Sequence, residues 1–155
     1  MNAPAGSESS DGNGEIYAQL RNWWKTHRQG RAYESSAGFI LPDTSTLSPD
    51  ASYVTADQLA RVPRQDRPRF LRLAPAFVIE LLSESDRLGV VKQKMEAWIA
   101  NGVQLGWLVD PYARQVYVYQ PGVAPRIESG SSVAGSGPVD GFVLDLDEVW
   151  SCYEA

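Results

Sequence analysis

The chain carries a single cysteine, Cys152, and a single histidine, His27. One cysteine excludes an internal disulfide and a cysteine metal cluster. That usage fits a reducing compartment, so a cytoplasmic location is expected. One histidine excludes a two-histidine metal site. No apolar run approaches the ~20 residues a membrane span requires, so no membrane partner is expected. The opening MNAPAGSESSDGNG has neither a basic segment nor an apolar stretch and is not expected to act as a signal peptide. Residues 1–14 read instead as a short disordered tail, and 15–155 as one domain. An excess of basic charge is lacking too. The formal net charge is −5, which argues against a surface coated in positive charge for nucleic acid.

What is present is ordinary in bulk and uneven in detail. Of 155 residues, 43% are hydrophobic and 21% charged, as in a soluble globular domain with a core of normal size. The positive charge is clustered. Residues 61–72, RVPRQDRPRFLR, hold Arg61, Arg64, Arg67, Arg69 and Arg72 against one acid, Asp66. A second group is Arg21, Lys25, His27, Arg28 and Arg31. Either group reads as a solvated surface or as a seat for phosphates.

Periodicity orders the elements. Ile16, Leu20, Trp23 and Trp24 predict a helix over 15–28, stopped by Gly30. A strand is expected over 32–41 and a short one over 51–54. The polar, proline-broken stretch 56–74 reads as a long loop with room for one helical turn. FVIELL, 77–82, is a central strand. Ser83 to Asp86 supply capping residues for a helix that runs to about Ala100, with Leu88, Val91, Met95, Trp98 and Ile99 on its buried face. Strands follow over 104–109 and 115–120, joined at Asp110-Pro111. The Gly, Ser and Pro content of 121–139 predicts loops, and GFVLDLDEVW a strand running into a helical turn. The strand–helix–strand unit from 77 to 109 predicts a parallel crossover, the turn at 110 an antiparallel hairpin, and the whole a mixed sheet flanked by helices, of α/β class. Tyr117 and Tyr119 on one strand face, and the adjacent Trp23 and Trp24, would permit a homodimer interface, although such aromatics more often belong to a core.

One residue disturbs the pattern. Glu80 sits within FVIELL, on the face of Val78 and Leu82. An ionised carboxylate in an apolar interior costs several kcal/mol unless it is paired, so a partner is required. An arginine from 61–72 is one candidate. The other arises from SPDASYV, where Asp50 stands at the mouth of the short strand. If that strand lies beside FVIELL, the two acids approach each other, and a hard divalent cation such as Mg²⁺ relieves their repulsion. Taken alone, Asp50 also reads as a turn residue. On the following helix, in VVKQKMEAW, Lys92 and Lys94 lie on opposite margins of the buried stripe. Periodicity does not choose between them, and a solvated lysine is the ordinary alternative for both.

SPDASYV, APAFVIELLSESD, KMEAWIANGVQLGWLVDP, VYVYQPG and GFVLDLDEVW, in that order and spacing, resemble the Uma-two family of proposed restriction endonucleases, within the PD-(D/E)XK nuclease superfamily. The resemblance runs from about Gly14 to Trp150. It implies a restriction-endonuclease-like α/β fold and a metal site built from the Asp of the Pro-Asp block and the Glu of the apolar strand, here Asp50 and Glu80. The superfamily places a lysine two residues after that acid, where this chain has Leu82. In this family the lysine stands on the next helix in a Lys-Met-Glu block, which selects Lys94. After the strand the family usually shows Ser-Pro-Ser-Asp, so Glu84 is an additional acid. Glu15 matches an acid often found on the first helix.

The resemblance therefore implies an endonuclease hydrolysing phosphodiester bonds, with Mg²⁺ or Mn²⁺ as cofactor, nucleic acid as partner, and DNA as the expected substrate. Asp50, Glu80 and Lys94 would be catalytic, and the five arginines of 61–72 would take phosphates. A restriction role would call for a partner methyltransferase, which nothing in this chain resembles. Two alternatives stay open: a binding or scaffolding domain that keeps the fold without turnover, and a hydrolase using Asp50 and Glu80 as an acid/base pair in the manner of glycosidases.

Overall fold

The computed structural model describes residues 6–154. The chain opens with α1 (Ser7–His27), which begins well before the expected start at Glu15. Most of the segment read as a tail is thus helical, and residues 1–5 lie outside the described residues. The Ser/Gly run is a poor helix former, but tertiary packing overrides it. Gly12 is buried, and a Cβ added there would come within 2.8 Å of the Tyr153 hydroxyl and 3.0 Å of Leu81 Cδ2. The helix ends through Arg28 in the left-handed region (φ 59°), with its N–H donating to the Trp24 carbonyl.

The expected strand over 32–41 is split into β1 (Arg31–Tyr33) and β2 (Phe39–Ile40). A turn interrupts it, because the Glu34 carboxylate accepts from the Ser36 amide and hydroxyl. The Ala37 N–H also donates to the Glu34 carbonyl. β2 pairs with β3 (Thr46–Leu47). Next come β4 (Ala51–Val54), at the expected bounds, and α2 (Ala56–Ala60), whose Thr55 and Gln58 form a reciprocal capping box. β5 (Phe77–Leu81), α3 (Leu88–Ala100), β6 (Leu105–Asp110) and β7 (Gln115–Tyr119) follow close to expectation, except that α3 starts after Arg87 with no side-chain cap. The expected capping residues, Ser83 to Asp86, instead form a turn in which the Asp86 carboxylate accepts from the Ser83 N–H. The stretch 121–139, expected as loops, contributes β8 (Arg126–Glu128) and β9 (Ser132–Ala134). These short strands form because each finds an edge: β8 pairs with β7, and β9 pairs with β10 (Val143–Asp145). The last described element is α4 (Leu146–Ser151).

The main sheet has six strands in the order β1-β4-β5-β6-β7-β8. Only β5 and β6 run parallel, joined through α3, and the other pairs are antiparallel. Every residue of β5 and β6 is buried, which explains their near-continuous apolar sequences. The two faces support separate cores. Phe77, Ile79 and Leu81 pack with Ile16, Leu20 and Trp24 of α1 and with α4. Val78 and Leu82 pack with Met95 and Trp98 of α3 on the other face, the face of Glu80. Tyr117 and Tyr119 belong to this second core and Trp24 to the first, so these three aromatics are internal packing. Trp23, half-buried, rests on Tyr53 and Phe142. Among the described residues no helix is long and apolar enough to cross a membrane.

Candidate active site

The antiparallel register of β4 on β5 pairs Ala51 with Ile79 and Ser52 with Val78. Continued by one residue, it sets Asp50 opposite Glu80. Proline at 49 and the start of the ladder at 51 hold Asp50 at the strand mouth, where its Oδ2 accepts the Leu81 N–H at 2.6 Å. Glu80 is only 4% exposed, and its environment is made by one helix face. Lys94 Nζ lies 2.9 Å from Glu80 Oε2, and the Trp98 Nε1–H donates to the same oxygen at 2.9 Å. Lys94 and Trp98 are four apart on α3, so one helical turn delivers both donors.

The carboxylates are coupled. Burial, and then the charge of Glu80, push Asp50 up to about 7, against the pull of the Leu81 N–H and of Lys94. Two acids placed this closely must share a proton or a cation. Among the described residues no group of three or more His, Cys, Asp or Glu side chains could hold a metal ion, and the acids brought together here are the pair Asp50 and Glu80. That donor set fits Mg²⁺ or Mn²⁺, hard ions that keep several waters and take one or two protein carboxylates.

The pair opens onto a cleft of about 1320 Å³ between the N-terminal half of α1, the Glu34–Ser36 turn and the Ser83–Asp86 turn. Glu8, Glu34, Glu84 and Asp86 also line it, and Lys94 is the one lysine or arginine among its lining residues.

The structure thus brings Asp50, Glu80 and Lys94 together. Lys92 is excluded from the site: its ammonium sits 4.5 Å over the Tyr117 ring. The candidate arginine partner of Glu80 is replaced by Lys94 and Trp98. Arg61, Arg64, Arg67, Arg69 and Arg72 are all exposed, and none lines the cleft. Arg67 and Arg69 instead border a neighbouring pocket, which shares Ser36 with the cleft. Arg21, Arg28 and Arg31 gather over the Trp24 ring at 4.2–5.0 Å and likewise stay outside. Glu84 borders the cleft, whereas Glu15 does not; its carboxylate accepts from Gln19 at 2.9 Å.

Two features escaped the sequence reading. Trp98 was legible only as core, although a buried indole N–H needs an acceptor and Glu80 needed a donor. Glu8 and Asn13 of α1 line the cleft from a segment that read as tail, and no local signal marked them.

No curated protein gives a significant match. Among solved structures, a crystal structure of a putative nuclease belonging to DUF820 from Anabaena variabilis superposes with a TM-score of 0.79 at 22% identity, covering 97% of this chain and 84% of that one. The two share a fold, a mixed sheet flanked by helices. The DrdV–DNA complex matches at a TM-score of 0.43 and 15% identity, over 78% of this chain and 12% of that one. The Uma2 family model, described as "Putative restriction endonuclease", matches residues 1–147, and the chain belongs to that family.

Proposed function

We propose that the chain is a divalent-metal-dependent nuclease that hydrolyses phosphodiester bonds, with DNA as the expected substrate. The observation that carries this reading is the buried Glu80 carboxylate, set opposite Asp50 at the edge of a cleft and clasped by Lys94. Asp50 and Glu80 would hold Mg²⁺ or Mn²⁺. A bound ion of that kind supplies Lewis-acid stabilisation of the charge that builds on a scissile phosphate, and lowers the pKa of water.

The protein's own groups account for the remaining needs. Trp98 fixes the Glu80 carboxylate through one oxygen, and the Leu81 N–H fixes Asp50. Neither acid can then swing away, and preorganisation of this sort is where electrostatic catalysis arises. The Lys94 side chain is 32% exposed, so its ammonium faces both Glu80 and the cleft. From there it donates to a phosphate oxygen or to the attacking water, and steadies negative charge as the phosphorus–oxygen bond breaks. The exposed arginines of 61–72 take flanking phosphates.

The test mixes purified protein with DNA and RNA substrates in Mg²⁺, Mn²⁺ or EDTA. Metal-dependent cutting is expected, lost in Glu80→Ala and kept in Lys92→Ala. Metal binding that survives removal of both acids would refute the assignment.

One observation favours a second reading, a binding domain without turnover. The cleft is rich in acids, and a polyanion approaching Glu8, Glu34, Glu84 and Asp86 is repelled. Salt-sensitive binding of nucleic acid with no cleavage in either metal would establish it. The glycosidase alternative fares worse. Lys94, held 2.9 Å from Glu80, has no task in an acid/base pair of that kind.

A further inference from the structure

Beside the acidic cleft lies a shelf of opposite character. Phe70 is 46% exposed, whereas Phe39, Phe77 and Phe142 are at most 1% exposed. Its ring lies across Gly38: a Cβ built on that glycine would come 3.1–3.2 Å from three ring carbons. One face of the ring therefore rests on backbone, and the other is left open. Tyr33 and Phe39, in edge-to-face contact at 5.9 Å, border the same pocket together with Arg67 and Arg69. Its volume of about 220 Å³ suits one planar ring and is below the ~300–1,000 Å³ of drug-sized sites.

The charges around the shelf are available. The Arg69 side chain is 78% exposed and makes only a long 3.7 Å contact with Asp66. Arg67 is anchored by donating to the Leu59 carbonyl at 3.0 Å. Ser36 borders both this pocket and the cleft, so the shelf adjoins the cleft on the side of the Glu34–Ser36 turn. A strand crossing the acid-rich cleft gains its cationic contacts on this side. A flat aromatic with one open face, flanked by guanidinium groups, is what binds a base and its phosphate in single strands. Inside a duplex the faces of the bases are already covered by their neighbours, so along a strand the base that lies on Phe70 is an unpaired one.

We propose that the Phe70 shelf, with Tyr33, Arg67 and Arg69, holds one unpaired nucleobase of a strand whose phosphates run into the neighbouring cleft, making single-stranded or frayed nucleic acid the substrate class. The proposal rests on the nuclease reading only for what happens in the cleft.

The test uses the full chain in EDTA, where binding is read without cutting. Fluorescence anisotropy would follow a short labelled single strand, a blunt duplex of the same sequence, and strands carrying one abasic position at a time. The single strand is expected to bind more tightly than the duplex. Phe70→Ala is expected to weaken it about tenfold, within the range for losing one base–aromatic stack. One abasic position should cost wild type the same, with no further loss in Phe70→Ala. Phe70→Trp should retain binding, and its added emission should be quenched by the strand. If Phe70→Ala and every abasic strand bind like their parents, or if polyglutamate competes as well as the oligonucleotide, the shelf is only a patch of charge and the proposal falls. The two readings fail separately. Base-dependent binding without cleavage in Mn²⁺ sinks the nuclease and keeps the shelf, whereas cleavage indifferent to Phe70 does the reverse.

Discussion

Replacing Asp50 by asparagine tests the coupled acids directly. In the protein Asp50 is pushed up to about 7, from an ordinary 3.8. The folded state therefore binds this proton more tightly than the unfolded chain does. The linked stability is fully present below 3.8 and is lost as pH rises through about 7. Across that window the loss is on the order of 4 kcal/mol, at ~1.4 kcal/mol for each tenfold change in proton affinity. The Asp50→Asn side chain would keep an oxygen for the Leu81 N–H and carry no charge, so it has no such dependence. Urea unfolding of both proteins in EDTA, from about pH 5 to about pH 8, should show the variant's advantage widening by on the order of 3 kcal/mol. Mn²⁺ should return stability to wild type at the upper end, and should bind about tenfold less tightly for each pH unit below 7 because it competes with the proton. Two stability profiles that run parallel would mean that Asp50 is an ordinary solvated acid, and the coupling to Glu80 would be wrong.

Two smaller perturbations probe the supports. Trp98→Phe keeps most of the ring but removes the N–H that holds Glu80 Oε2; about 1–3 kcal/mol of stability should be lost, read by denaturant midpoint, together with Mn²⁺ affinity. Gly12→Ala places a methyl 2.8 Å from the Tyr153 hydroxyl and 3.0 Å from Leu81. It should therefore destabilise by about 1–3 kcal/mol, despite alanine's better helix propensity, and a gain in midpoint would show that α1 does not dock there.

The sequence made the central frame readable because its signals are local or periodic. Alternation and β-branched runs located β4 to β7, and one carboxylate inside FVIEL announced a buried partner. What stayed hidden depends on contacts between distant segments. The Ser/Gly start of α1 is helical because Tyr153 and Leu81 receive Gly12, and nothing within residues 7–14 encodes that. β8 and β9 exist as edge pairs, stabilised by β7 and β10 rather than by their own propensity. At the site, Asp50 and Glu80 stood out in the residue pattern, whereas the choice of Lys94 over Lys92 came from the family resemblance and not from periodicity. Both flank the same stripe on opposite margins, and the helix pattern alone does not say which margin faces Glu80. The rotation of α3 is set by Met95, whose methyl approaches Gly106 so closely that a Cβ there would lie 2.7 Å away. Met95 thereby seats the helix with Lys94 toward Glu80 and Lys92 toward Tyr117.

Glu80 takes its cation from α3, although a strand position lies within reach as well. Leu82 lies two residues beyond Glu80 on the same sheet face, 7% exposed, and its N–H continues the ladder by donating to the Val109 carbonyl at 2.9 Å. Two strand residues span about 6.6 Å, within reach of an extended lysine side chain. A double-mutant cycle on Leu82→Lys and Lys94→Leu therefore measures whether the carboxylate requires a cation from that helix or only a cation. Lys94→Leu alone leaves Glu80 buried with Trp98 as donor; with Lys94 itself about one-third exposed, the loss should fall below the ~3–5 kcal/mol of a fully buried pair. Leu82→Lys alone loses apolar packing and crowds two cations on one acid, so it too should destabilise. Together the substitutions should be less costly than their sum by at least about 1 kcal/mol, because the new ammonium finds the vacated oxygen. Additive losses would mean that an ammonium on the strand does not take over from the one on α3, so that Glu80 requires its cation from that helix.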